Sequence, residues 1–119
     1  MRIAMMPSAS IMTLLCGLSV ACGSTLPPAE SEYEAARQDV GRAEAGGAPG
    51  VPDAKLHLQL AQEDLQKSKQ ASTQDGKRAA SLLSLARTEA QLALSLARAS
   101  QAQDAAQQAE QDLQKAKGN

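Results

Sequence analysis

The stretch from Ala79 to Ala97, AASLLSLARTEAQLALSLA, decides the fold class that this sequence predicts. Small or apolar residues recur in it at alternating intervals of four and three, at Ala79, Leu83, Ala86, Ala90, Ala93 and Ala97. This spacing matches the period of an α-helix, so these side chains share one face. A second row lies beside the first and contains Leu82, Leu85, Leu92 and Leu96. Two adjacent rows make a face wide enough to pack against two other helices, so the stretch predicts the central helix of an all-α domain.

Two shorter helices are predicted before this stretch. The first spans about 31–45, because Ser31-Glu32-Tyr33-Glu34 has capping-box spacing and two glycines follow its end. Its apolar face contains Tyr33, Ala36, Val40 and Ala43. The second spans about 53–72, with Asp53 as its N-cap. Its apolar ridge contains Ala54, Leu58, Ala61 and Leu65, broadened by Leu56 and Leu60. The Gly/Pro-rich residues 46–52 predict a loop between the two helices.

The third helix is predicted over 76–117, with Asp75 as its N-cap and Gly118 at its end. Residues 73–76 predict a turn before it, and a kinked continuous helix is the alternative. The expected fold is therefore a short three-helix arrangement. It is a helical hairpin with a long, projecting C-terminal helix, in a domain that spans residues 31–119.

The last part of the predicted third helix differs from the first. Beyond Arg98 the apolar residues are nearly all alanine, and glutamine fills the other faces. This part is too long for the two shorter helices to cover, so we expect it to project or to bind a partner. The predicted interaction surface contains Ala99, Ala102, Ala106, Ala109 and Leu113. An alanine surface of this kind favours weak, adaptable helix contacts without a strong charge code for one partner.

Composition limits the size of the core and the classes of partner. The chain has no Trp, no Phe and one Tyr, so its apolar fraction of 43% is mostly alanine and leucine. A small core without bulky residues contributes only ~3–5 kcal/mol of net stability. The formal net charge is −1, and no basic stripe with interspersed aromatic residues is present. Nucleic-acid binding requires such a basic surface, so it is not expected.

The N-terminal residues have the features of an export signal. Residues 1–21 contain a short basic start, an uncharged apolar stretch and a small residue, Ala21, before Cys22. The segment resembles a bacterial lipobox, although Ser19 stands where that motif usually has leucine. The resemblance implies a signal peptide cleaved between Ala21 and Cys22, lipid acylation of Cys22, and a tether over 22–30. A retained membrane anchor and cleavage without lipid are the alternatives.

The remaining cysteine and the residue after Cys22 refine this prediction. Cys16 lies inside the segment to be removed, so the mature chain would carry a single cysteine. An odd cysteine in an exported protein requires an explanation, and lipidation provides one. An aspartate directly after the acylated cysteine resembles a signal for retention in the inner membrane. In this chain that position is Gly23. We therefore expect lipid anchoring in the outer membrane, facing the periplasm.

Residues with catalytic or metal-binding chemistry are few and scattered. His57 is the single histidine, and no second ligand or acid follows it at helical spacing on the same face. We interpret it as a solvated histidine or one at the edge of the core. Glu63 and Asp64 have the character of an exposed helix face, and no histidine accompanies Ser81 or Ser84 at helical spacing. We expect no enzymatic activity, no metal and no cofactor other than the covalent lipid.

Three segments carry a resemblance to a known family. They are Gly47-Ala48-Pro49, residues 60–65 (LAQEDL) and residues 85–93 (LARTEAQLA), within a likeness over about residues 27–106. In this order they resemble a family of small bacterial lipoproteins, the domain of unknown function 4398 family. The chain departs from the family in the turn before the third helix, where Asp75-Gly76-Lys77 lacks an aromatic residue. The resemblance implies an envelope lipoprotein with helical structure. The family's function is not established, so the resemblance implies no activity.

Two functions of different classes are therefore expected. The leading hypothesis is a structural or interaction lipoprotein whose long helix binds a second copy or another envelope protein. The alternative is a monomeric, helical-repeat-like adaptor that binds a peptide or lipid in a groove lined by Tyr33, Val40, Leu82 and Leu85. Covalent attachment to the cell wall through Lys115 or Lys117 is not expected, because Gly118 and Asn119 follow them.

Overall fold

The computed structural model describes residues 28–118, which form three α-helices and a short 3₁₀ turn. Helix α1 spans Pro28–Ala45, the 3₁₀ turn spans Ala48–Gly50, α2 spans Pro52–Ala71, and α3 spans Gly76–Lys117. The described residues contain no β-strand. The predicted all-α class and the long C-terminal helix are therefore confirmed. The residues predicted as signal peptide, cleavage site and acylation site, including Ala21 and Cys22, lie outside the described residues.

The two shorter helices begin differently from the prediction. Helix α1 begins at Pro28, three residues before the predicted start at Ser31. Helix α2 has Val51 as its N-cap with no side-chain hydrogen bond, so the prediction that Asp53 caps it is wrong. Pro52 starts this helix instead, because the first helical position needs no amide donor and proline already has a helical φ. Asp53 lies in the first turn, where its carboxylate interacts favourably with the helix dipole.

Helix α3 begins where the sequence predicts a turn. The Asp75 carboxylate accepts a hydrogen bond from the Arg78 amide at 3.0 Å, which confirms Asp75 as the N-cap. Residues 72–74 form a turn, so α2 and α3 are separate helices and the continuous kinked helix is not formed. The loop between α1 and α2 turns at Gly47, whose φ of 93° lies in the left-handed region that glycine adopts without strain.

The core lies where α3 packs against both shorter helices. Ten of the fourteen buried apolar residues are alanine, so the helix axes can approach closely. The four larger buried side chains are Val40, Leu58, Leu65 and Leu83. The whole first row of α3, from Ala79 to Ala97, is buried as predicted. Tyr33 is half-buried and packs against this core.

Most of the leucines expected to broaden the core do not do so, although Leu96 packs against it. Leu56 and Leu60 of α2, and Leu85 and Leu92 of α3, are all exposed, and Leu82 and Leu96 are only half-buried. The reason is that α1 and α2 both pack against the alanine side of α3. The second row of leucines therefore lies along the outer edge of the α2–α3 contact, where no third helix among residues 28–118 covers it.

Candidate functional site

The predicted interaction surface lies on a part of α3 that projects from the folded body. Ala97 is the last buried residue of this helix, and residues 101–118 are all exposed. The five predicted residues are all exposed, and we call them the alanine seam: Ala99, Ala102, Ala106, Ala109 and Leu113. Leu113 is 55% exposed and is the largest apolar side chain of the projecting part. From Ala99 to Lys117 this part extends about 28 Å at the usual helical rise.

The alanine seam lies on a different face from the buried row. Ala99 follows Ala97 by two residues, which places it about 200° further around the helix axis. The positions that continue the buried row are polar, namely Ser100, Asp104, Gln107, Gln111 and Gln114. The apolar face of the projecting part is therefore turned away from the side that packs on α1 and α2. The seam is not a longer version of the same packing surface.

The charged groups near the end of the seam are solvated and weakly paired. Lys115 Nζ lies 3.8 Å from Asp112 Oδ1, and both side chains are largely exposed. The amide of Gln108 donates a hydrogen bond to the same carboxylate oxygen at 3.1 Å. Exposed pairs of this kind contribute little to stability, so the groups can exchange partners at low cost.

A histidine and a glutamate link α2 to α3. His57 Nδ1 lies 2.6 Å from Glu89 Oε2, and both side chains are partly buried. The prediction of an edge-of-core histidine is therefore correct, but the sequence reasoning missed its partner. The available signal was position: His57 lies fourteen residues before the end of α2, and Glu89 lies thirteen after the start of α3. Antiparallel helices joined by a short turn bring such residues together.

Asp64 lies beside this pair and is buried, although the sequence predicted an exposed face for it. Burial raises the pKa of the Asp64 carboxyl above its ordinary value, Lys67 opposes the rise, and the negative charges of Glu89 and Glu63 add to it. Lys67 Nζ is 3.9 Å from Asp64 Oδ1. No group of three His, Cys, Asp or Glu residues within 28–118 is arranged to hold a metal ion.

A second polar cluster links α1 to α3. Asp39 is buried and lies 2.7 Å from Arg42 Nη2 in its own helix. From α3, Arg87 Nε donates to Asp39 Oδ2 at 3.1 Å, and the Gln91 amide approaches the same oxygen at 3.4 Å. The sequence reasoning missed this cluster, because a charged residue in a helix gives no sign of which neighbour it faces.

The groove expected for an adaptor is not formed by the predicted residues. Val40 is buried in the core and Leu85 is exposed on the opposite side of the helices. Tyr33 lines a cavity of about 430 Å³, and Leu82 lines a different cavity of about 210 Å³. The Tyr33 ring lies beneath Lys69 of α2, whose Nζ is 5.0 Å from the ring centroid. Tyr33 thus connects α1 with α2.

The histidine pair lies apart from three cavities on the described surface. Neither His57 nor Glu89 lines the cavities of about 430 Å³, 320 Å³ and 210 Å³. The contact that the structure shows for the two residues is the link between α2 and α3.

Comparisons with protein-family models, with curated proteins and with solved structures gave no match to this chain. The resemblance to the domain of unknown function 4398 family stays a prediction. Among the described residues, no helix is long and apolar enough to cross a membrane.

Proposed function

We propose that this protein is a non-enzymatic helical interaction module, held by a lipid on Cys22 at the periplasmic face of the outer membrane. The alanine seam is the observation that carries the interaction part of this proposal. It leaves apolar side chains exposed on a helix that extends beyond its own core. Its orientation, away from α1 and α2, supports a role in contact with another helix.

The spacing of the seam fits a second copy of the chain as the partner. Its residues follow each other at intervals of three and four, which are the a and d positions of a coiled coil. In a parallel pair, Leu113 would meet Leu113 of the second copy, in the only layer with a large side chain. Asp112 then occupies a g position and Lys117 the e position that faces it across the pair. Their opposite charges favour this parallel alignment.

The proposed anchor also supports a parallel arrangement. The tether from Cys22 leads into the start of α1, and α1 and α3 run in the same direction. Copies held in one membrane would therefore project their long helices the same way. Several acyl chains hold a protein at a bilayer almost irreversibly, and confinement of this kind raises the effective concentration of a weak partner.

Site-directed crosslinking in bacterial cells tests the seam. The variant Ala106→Cys places a thiol on the seam, and the matched variant Gln111→Cys places one on the polar face. With Cys22 acylated and Cys16 removed with the signal, each introduced thiol is the single free one. We expect a dimeric product with Ala106→Cys that is several-fold more abundant than with Gln111→Cys. Equal yields from the two variants, or no dimer from either, would contradict the seam as a self-association surface.

The anchor is tested separately by the intact mass of the membrane-extracted protein. The expected mass is that of residues 22–119 plus acyl chains, and the variant Cys22→Ser should lack the added mass. An unlipidated mass in the native chain would remove the membrane part of the proposal, and the crosslinking variants would then be compared in a Cys22→Ser background, where Cys22 cannot form the crosslink.

The alternative function is a monomeric adaptor that binds a peptide or lipid. The cavity beside Tyr33 favours it, although the predicted groove residues do not assemble there. Light scattering on the detergent-solubilised chain separates the two functions. A stable oligomer supports the seam, and a strict monomer supports the adaptor.

A further inference from the structure

The cavity of about 430 Å³ lies between the start of α1, the end of α2 and the start of α3. Tyr33 and Leu83 provide apolar surface, while Glu30, Glu34 and Lys69 bring charged groups to its rim. Its volume falls within the ~300–1,000 Å³ typical of small-molecule sites, which combine an apolar wall with a few polar groups. The composition of the wall therefore indicates which chemistry the cavity accepts.

The chain itself places a cation on the Tyr33 ring. Lys69 Nζ lies 5.0 Å from the ring centroid, which is within the range of a cation–π interaction. Glu30 and Glu34 of α1 also line the cavity, and Glu34 Oε1 pairs with Arg37 Nη1 at 3.6 Å. Two carboxylates and one ammonium are therefore the charged groups of the lining, and both carboxylates attract a cation that enters it.

We propose that this cavity binds an organic ammonium ion. The charged group lies over the Tyr33 ring, on the side of the cavity that Glu30 and Glu34 line, and the apolar part of the ligand packs against Leu83. Lys69 occupies the same ring face and moves aside, so it competes with the ligand. A free small amine or the headgroup of an aminophospholipid supplies this chemistry. The headgroup source rests on the proposed anchor. Residues 22–27, between the acylated cysteine and the start of α1, span at most about 20 Å, so the anchor would keep the cavity near the lipid headgroups.

The single tyrosine makes binding directly observable. Tyr33 is the only Phe, Tyr or Trp in the chain, so its ring protons are resolved in the aromatic NMR spectrum beside those of His57. We expect saturable shifts of these protons when choline is added to the full chain in detergent micelles. The neutral isostere 3,3-dimethylbutan-1-ol should give no saturable shift. Equal shifts with both compounds, or none with choline, would overturn the proposal.

Two variants test the arrangement of the site. Lys69→Met removes the competing ammonium and should tighten choline binding about two- to fivefold. Lys55→Met removes an exposed lysine elsewhere on α2 and should leave the affinity unchanged. Tyr33→Leu should abolish binding, measured by saturation transfer to the choline methyl groups. An unchanged or weaker affinity in Lys69→Met that still melts like the native chain would refute the placement of the ligand over Tyr33.

Reconstituted vesicles distinguish the two sources of the ligand. The tyrosine fluorescence of the chain is compared in phosphatidylglycerol vesicles with and without phosphatidylethanolamine. A change that requires phosphatidylethanolamine assigns the headgroup, whereas binding of choline without such a change assigns a free small molecule. A chain shortened after Ala97 retains the whole cavity, so loss of self-association and loss of ammonium binding are separately measurable.

Discussion

The substitution Leu58→Ala tests whether the few large side chains of the core hold the three helices together. Leu58 of α2 is 4% exposed. The change removes three carbon atoms, each worth about 0.8 kcal/mol of transfer free energy, or roughly 2.4 kcal/mol in total. The unfilled space adds to this, so we expect a loss of about 3 kcal/mol in the free energy of unfolding. The other buried neighbours are mostly alanines, which have no side-chain atoms that could move in to fill the space.

Leu56→Ala is the matched control, because it makes the same chemical change two residues away in the same helix. Leu56 is 56% exposed. We expect its replacement to change the free energy of unfolding by no more than about 0.5 kcal/mol. Thermal unfolding followed by circular dichroism at 222 nm should show the melting temperature of Leu58→Ala lowered by about 12–24 °C. The Leu56→Ala chain should melt within a few degrees of the native one. Similar shifts in both variants would refute the assignment of Leu58 to the core and Leu56 to the surface.

Four further substitutions follow from named features of the structure. Gly47→Ala forces alanine into a φ of 93° and should destabilise the chain by about 1–2 kcal/mol. In Gly41→Ala the added carbon meets no atom within 4 Å, so this change should stabilise the chain by about 0.5–1 kcal/mol. Urea titration measures both, and effects of the same sign would contradict the loop geometry. Asp39→Asn weakens the contact with Arg87 and should cost about 1–2 kcal/mol; a double-mutant cycle with Arg87→Met showing no coupling would count against that contact. The pKa of Asp64 is raised by burial, so the folded chain holds this proton more tightly than the unfolded chain. The stability from this group is fully present below the ordinary pKa and is lost as the pH rises through the raised value. Asp64→Asn should therefore show a smaller decline in melting temperature between pH 4 and pH 7, and an unchanged decline would contradict the effect.

The sequence predicted the helices and the buried row of α3 because both follow from local period. Alanine and leucine at intervals of four and three define one face of a helix, wherever that helix lies in the fold. The turn at Asp75 was predictable for the same reason, since its side chain caps the helix that starts beside it. The prediction placed the start of α1 and the N-cap of α2 too late. Proline and a side-chain cap compete for the same few positions, and in both helices proline is the first residue.

Period alone could not decide which of two apolar rows is covered. Leu85 and Leu92 repeat as regularly as Ala86 and Ala93, yet only the alanines are buried. Small side chains allow the helix axes to approach, so α1 and α2 settle on the alanine row and leave the leucines at the edge. The links His57–Glu89 and Asp39–Arg87 depend on the relative positions of different helices, which the sequence of each helix does not contain.

The continuity of α3 affects how its projecting part gains and loses structure. As a separate peptide this part would have to start its own helix, which is much less favourable than extending an existing one. Here the packed first half supplies the nucleus, so helical order propagates outward from Ala97 without a separate nucleation step. Amide hydrogen exchange should accordingly become faster from Ala99 towards Lys117, in a gradient of fraying. A partner that binds near Leu113 would therefore suppress that exchange. Part of the binding free energy would offset the entropy lost when the last turns become ordered.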